Sequence, residues 1–179
     1  MNGTLAIPVT DADHAKGRAD AAVTLVEYGD YQCPACGMAY PFVQQILERN
    51  GDRLRFVFRN FPLSQAHPYA SMAAQVAEAA ATFGRFWQMH DWLYQHQDAW
   101  TPRGAEGIAD GVQAVGLDPA QLQQALEDGH IAERVRHDFM GGVRSGVNGT
   151  PSFYLDGRLY EGGFDTLGQA VQRRVAQAG

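Results

Sequence analysis

Val23-Thr-Leu-Val-Glu-Tyr-Gly-Asp-Tyr-Gln-Cys-Pro-Ala-Cys-Gly-Met38 is the stretch that decides how the rest of the chain is read. Its first half is a near-continuous apolar run, the pattern of a strand covered on both faces and central in an α/β sheet. A Gly-Asp turn follows, and the only two cysteines of the chain, Cys33 and Cys36, stand where a helix begins. Beyond them Met38, Phe42, Val43, Ile46 and Leu47 recur at helical spacing, Asn50-Gly51 supplies a stop, and Pro41 is expected to kink the helix. Leu54 to Phe61 is again strand-like and ends at Pro62. Strand, helix and strand predict a right-handed crossover unit.

Working outward, residues 1–22 form a mixed lead-in with an edge strand expected at Leu5 to Val9. Residues 64–148 are rich in Ala, Gln and Glu and contain no strand-like run. They break at Gly84, at Thr101-Pro102, between Gly116 and Pro119 and at Gly129, which predicts four or five helices. Asp118-Pro119-Ala120-Gln121 is a well-formed helix start, with an acidic cap and proline in the first turn. After it, Thr150 to Leu155 reads as a strand, Asp156-Gly157 as a hairpin turn, Arg158 to Glu161 as the return strand and Leu167 to Ala176 as a closing helix. The expected organisation is an α/β domain of residues 1–63 and 149–179, βαβ plus ββα, split by an all-helical insertion of residues 64–148.

Composition excludes several functions. In 179 residues, 45% are hydrophobic and 19% charged, the ordinary globular range, and no run approaches the roughly 18 apolar residues of a membrane span. The formal net charge is -6 and no Lys/Arg cluster occurs, so a nucleic-acid partner is not expected. The opening Met-Asn-Gly-Thr-Leu-Ala-Ile-Pro lacks the basic and apolar regions of a signal peptide. The expectation is a cytoplasmic protein or, had a leader been removed, a periplasmic or extracytoplasmic one.

Cys33-Pro34-Ala35-Cys36 sets two sulfurs on one face of a first helical turn, close enough for a disulfide to form and open. A bridge across so short a loop constrains little chain entropy, so the pair is explained by reactivity rather than by stability. The attacking thiol is expected to be Cys33, at a helix N-terminus whose free N–H groups favour thiolate, and Cys36 to be the less exposed resolving thiol. Pro34 occupies a position where proline costs no hydrogen bond. The competing readings are a metal half-site, which lacks a second pair of cysteines, and two inert core cysteines.

Glu27 interrupts the apolar strand. It is either a proton acceptor for Cys36 or a strand-end residue that is exposed or paired with an arginine. Gly149-Thr150-Pro151 precedes a strand and reads either as an ordinary edge proline or as a cis-proline that leaves the Thr150 backbone open to an extended peptide. Tyr31, Gln32 and Thr150 are expected near the sulfur and partly exposed, forming with Pro34 and Ala35 the rim that meets substrate. His67 reads as a loop or capping histidine, His130, Glu133 and His137 as a solvated helix face rather than a metal site, and Phe83, Phe86, Trp87, Trp92, Leu93 and Tyr94 as the core of the helical insertion.

Taken together, Val-Glu-Tyr-Gly-Asp-Tyr-Gln-Cys-Pro before the helix and Gly149-Thr-Pro-Ser-Phe153 resemble the DsbA-like branch of the thioredoxin superfamily, over most of the chain. The resemblance implies a thioredoxin-like fold with a helical insertion. It also implies that Cys33 is the nucleophile, Cys36 the resolving cysteine, Glu27 the buried acid under the dithiol and Pro151 the cis-proline facing it. Its activity would be thiol–disulfide exchange with polypeptide substrates and an unidentified redox partner, with no cofactor beyond the dithiol. One departure stands out: strongly oxidising members carry His between the proline and the second cysteine, where this chain has Ala35, so a weaker oxidant is expected. The rival readings are a glutathione-dependent isomerase or transferase on the same fold and a peptide-binding, chaperone-like module.

Overall fold

The computed structural model describes residues 3–178. Five strands form one sheet in the order β1-β3-β2-β4-β5, with β1 at His14–Lys16, β2 at Val23–Gly29, β3 at Leu54–Asn60, β4 at Ser152–Leu155 and β5 at Arg158–Tyr160. β2 is the middle strand, and Val23, Leu25, Val26 and Tyr28 are all fully buried, as its unbroken apolar run predicts. β4 runs antiparallel to β2 with Leu25 opposite Leu155 and Tyr28 opposite Ser152. The β4–β5 hairpin turns at Asp156-Gly157, both with positive φ (47° and 78°), the conformation that Asp-Gly is suited to.

The expected edge strand at Leu5 to Val9 does not form. Residues 3–5 instead run beside β5, bonded from Leu5 N to Gly157 O and from Leu159 N to Gly3 O, with a single bridge between Thr4 and Arg158. The chain then turns away. Pro8 has no N–H to give a ladder, and the carbonyls of Ile7 and Pro8 are taken by the Arg59 guanidinium. The edge strand that the lead-in does form is β1, antiparallel to β3.

Helix α1 spans Pro34–Asn50 and carries Pro41 within it. It buries Ala39, Val43 and Ile46, one stripe at helical spacing. Helix α8, at Phe164–Ala178, is longer than the expected 167–176; it buries Leu167, Val171 and Val175 and packs on β2. Between β3 and β4 lie α2 (Ala70–Ala81), α3 (Phe86–Gln95), α4 (Gln97–Trp100), α5 (Ala105–Ala114), α6 (Pro119–Glu127) and α7 (His130–Ser145). Six helices replace the expected four or five, because Gln97–Trp100 adds a single turn ahead of the break at Thr101-Pro102. Asp118 caps α6 as its sequence predicts, its Oδ1 accepting from the backbone N–H of Ala120 and of Gln121 at 2.9 Å each.

The chain packs as two compact units. One comprises Met1–Gly29, Met38–Arg59 and Met140–Gly179, and contains the sheet and α8; the other comprises Asp30–Gly37 and Asn60–Phe139. In the first, the Arg59 guanidinium is buried and bonded to both carboxylate oxygens of Asp13 (2.8 and 3.0 Å), to the carbonyls of Ile7 and Pro8 and to the Tyr28 hydroxyl. In the second, α2 buries one side made mostly of alanines, and Phe61 stacks on Phe139 with ring centroids 4.4 Å apart. Of the aromatic residues assigned to this core, Phe86 and Tyr94 are buried, but Phe83 is exposed in the turn after α2.

Candidate active site: the Cys33–Cys36 turn

Cys33 and Cys36 are both in the thiol form and both buried, at 6% and 0% exposure, so Cys33 is the more accessible of the two. Cys33 immediately precedes α1. Its N–H donates to Asp30 O at 3.1 Å and its carbonyl accepts from Gly37 N–H at 3.1 Å, the bond that opens the helix. Pro34 is exposed and stands at the first helical position, where its missing N–H leaves no gap in the ladder. Ala35 is half-buried. No acidic residue lies in the first turn of α1.

The loop ahead of the dithiol is held from within the same unit. Asp30 is buried; its Oδ1 accepts from Gln32 N–H at 2.8 Å, its Oδ2 accepts from Leu63 N–H at 3.0 Å and pairs with His67 Nδ1 at 2.7 Å. His67, read from sequence as a loop or capping residue, therefore holds the carboxylate that holds this loop. Gln97 on α4 donates through Nε2 to the carbonyls of Tyr31 and Cys33, at 2.8 and 2.9 Å.

Tyr31 and Gln32 are not rim residues. They are 1% and 8% exposed, which corrects the expectation that they face substrate. The Tyr31 hydroxyl is 3.0 Å from His90 Nδ1, and its ring packs 5.5 Å from that of His90 and 5.0 Å from that of Tyr94. Gln32 Oε1 accepts from Tyr69 N–H at 2.7 Å. Their nearness to Cys33 in sequence suggested exposure, yet helices 35 to 65 residues further along the chain close over them.

In the sheet unit, Glu27 sits on β2 at 3% exposure, which removes the reading of it as an exposed strand end. The β2–β4 register sets it opposite Phe153, two residues after Pro151. The Thr150–Pro151 peptide bond is cis, both residues are half-buried, and Ser152 Oγ donates to Gly149 O at 2.8 Å across the turn. Glu27 thus lies on β2 beside the strand that Thr150 and Pro151 lead into, while Tyr31 through Cys36 and the residues binding them gather in the helical unit. His130 lies 2.8 Å from Asp128, and no group of three or more His, Cys, Asp or Glu suited to a metal occurs among the described residues.

Sequence reading missed Asp30, His90 and Gln97. An Asp two residues before Gln32 in a turn after a strand is a signal for the bond that Asp30 makes to the Gln32 N–H. Gln97 leaves no such trace, since its partners are 64 and 66 residues away.

A five-stranded sheet built from βαβ and ββα parts, with helices inserted between them and a Cys-Pro-Ala-Cys pair opening the first long helix, defines a thioredoxin-like protein with a helical insertion. The thioredoxin family model matches residues 9–173, and the chain belongs to that family, with the fold of its DsbA-like branch. It is similar to a thioredoxin-like oxidoreductase from Silicibacter pomeroyi (28% identity, TM-score 0.79, 95% of each chain covered). Its fold also matches alpha-DsbA1 from Wolbachia pipientis (16% identity, TM-score 0.83, 97% of this chain and 96% of that one). Among curated proteins it is 41% identical over 175 residues to the Na(+)/H(+) antiporter NhaA 1 of Salinispora arenicola, covering 97% of this chain and 26% of that protein. The chain thus spans roughly a quarter of the length of the curated relatives it matches. Among the described residues no helix is long and apolar enough to cross a membrane.

Proposed function

We propose that this chain is a thiol–disulfide oxidoreductase that exchanges disulfides with cysteines of polypeptides. The observation that carries the reading is the placement of the two thiols: Cys33 at the N-terminus of α1, and Cys36 one turn inside it and fully buried. In the reducing direction the Cys33 thiolate attacks a substrate disulfide, forming an S–S bond to one substrate sulfur and releasing the other as a thiolate. The Cys36 thiolate then attacks Cys33 Sγ, forming the Cys33–Cys36 disulfide and releasing the second substrate thiolate; the substrate gains the two electrons that the dithiol loses. The reverse sequence oxidises a substrate dithiol. The pair itself carries the electrons, so the reaction calls on no further cofactor.

From the resemblance, Glu27 takes the proton of Cys36 as it becomes the attacking thiolate, and Thr150-Pro151 aligns the substrate chain. Pro34 and Ala35, exposed and half-buried, are the residues of the motif that meet it. The Ala35 side chain offers no donor to a Cys33 thiolate, so the dithiol form gains less and the reduction potential falls below the value of about -120 mV typical of a strong DsbA-type oxidant. Equilibration with glutathione buffers measures this directly, and a potential as high as that value overturns it.

The test of the activity itself is covalent capture. Cys36→Ser, whose Cys33 thiolate can attack a substrate disulfide but has no second thiol to resolve the product, is expected to accumulate mixed disulfides with oxidised or scrambled polypeptides that dithiothreitol releases. Cys33→Ser is expected to accumulate none and to lose insulin reduction. A protein in which Cys33→Ser reduces insulin as fast as the parent does not work this way.

A further inference from the structure

We infer that Gln97 is a positioning residue for the dithiol: from α4 it clamps the backbone on both sides of Cys33 and so sets the balance between dithiol and disulfide. The inference rests on the reading of Cys33 as the nucleophile.

Two independent features converge on this side chain. Its Nε2 spends both N–H bonds on the carbonyls of Tyr31 and Cys33, at 2.8 and 2.9 Å. Its other end fills the slot beside Gly37: a Cβ at residue 37 would lie against Gln97 Oε1 and Cδ, closer than such atoms approach in folded proteins. The glycine directly after the second cysteine is therefore matched to Gln97 rather than to a turn, and α1 continues through it.

The clamp is itself held rigid. Trp100, on the same single-turn helix, is 1% exposed and donates from Nε1 to Leu93 O at 2.8 Å. Gly107 of α5 leaves room for the Trp100 backbone, where any Cβ would collide with its Cα and carbonyl oxygen. A four-residue helix has little stability of its own, so these contacts fix where Gln97 points.

The chemistry follows from the dipoles. A carbonyl directs negative charge from its oxygen, and two such oxygens, from Tyr31 and Cys33, flank the residue whose sulfur must become an anion. Donation from Gln97 offsets both. Without it the Cys33 thiolate is less favoured, the dithiol form loses stability relative to the disulfide, and attack on an electrophile at neutral pH slows.

The experiment uses the whole chain and compares Gln97→Met, Gly37→Ala and the double variant with the parent. Met keeps the length and bulk of Gln but donates nothing, so packing is retained and donation is lost. Two quantities are read in each protein after circular dichroism has shown it to be folded: the equilibrium between dithiol and disulfide in glutathione buffers, and the rate of Cys33 alkylation by iodoacetamide. Gln97→Met is expected to shift the equilibrium towards the disulfide about tenfold, the scale of losing one to two hydrogen bonds, and to slow alkylation by a similar factor. Gly37→Ala, by displacing Gln97, is expected to give the same shift, and the double variant no more than either single change. Parent-like values in Gln97→Met would leave Gln97 a packing residue, and additive effects in the double variant would break the link between Gly37 and the clamp; either result overturns the inference. A parent protein that alkylates at Cys33 but never exchanges with insulin would instead refute the proposed function while leaving the clamp measurable.

Discussion

Asp30 joins three points of the chain through its carboxylate, the turn at Gln32, the N–H of Leu63 and the ring of His67, and a fourth, the N–H of Cys33, through its backbone carbonyl. Replacing it by Ala strands buried donors, so Asp30→Ala is expected to cost on the order of 3 kcal/mol. In urea titration that appears as a midpoint lower by roughly 1 to 2 M. A second residue-scale prediction concerns Ala35. If the missing donor is what weakens the oxidant, Ala35→His moves the glutathione equilibrium towards the dithiol by about tenfold, near 30 mV for a two-electron couple; no shift would remove Ala35 from the account of the potential. At this scale the legible residues were those whose chemistry is local. The three-residue spacing of the cysteines and the acid in an apolar strand declared themselves, whereas Gln97, His90 and the burial of Tyr31 and Gln32 arise from contacts across long stretches of chain that no local pattern encodes.

The elements were legible where period and punctuation agreed. β2, α1, β3 and the Asp156-Gly157 hairpin all fell within a few residues of expectation, because burial on one or both faces writes a repeat into each. The lead-in was not, since its shape depends on a guanidinium about fifty residues away. Burial on its own lowers the Arg59 guanidinium, but its hydrogen bonds to Asp13 and Tyr28 outweigh this and hold it above its ordinary value, so it stays charged. Arg59→Met takes the guanidinium away from the Asp13 carboxylate, whose side chain is largely shielded from solvent, and is expected to destabilise the protein by about 3 kcal/mol in thermal or urea unfolding. A loss under 1 kcal/mol would show that the segment 7–13 is held by something else. For α6, Asp118→Ala removes a cap that accepts two N–H bonds and is expected to cost about 1 kcal/mol.

At the scale of the molecule, stability at high pH reports on the sheet. Burial, with a further contribution from the neighbouring Tyr28, raises the Tyr154 hydroxyl above its ordinary value. The folded protein then keeps a proton that the unfolded chain gives up. Stability from this group is fully present below the unfolded tyrosine value of about 10 and is lost as the pH rises through the higher folded value. Urea unfolding between pH 9 and 11 is expected to show this decline, and Tyr154→Phe to flatten it, although that variant also loses the 2.8 Å bond to Ser145 O. An unchanged slope in Tyr154→Phe would assign the decline to other groups.

The short pairing of residues 3–5 with β5 has a consequence for life at high concentration. A sheet whose last strand shows a bare row of amides and carbonyls invites the same strand of another molecule. Here residues 3–5 stitch a hem along that border, through bonds at Gly3 and Leu5 and the Thr4 bridge, and the opposite border is a strand only three residues long. Unpicking the hem by deleting residues 1–6 is expected to make light scattering rise more steeply with protein concentration than it does for the parent.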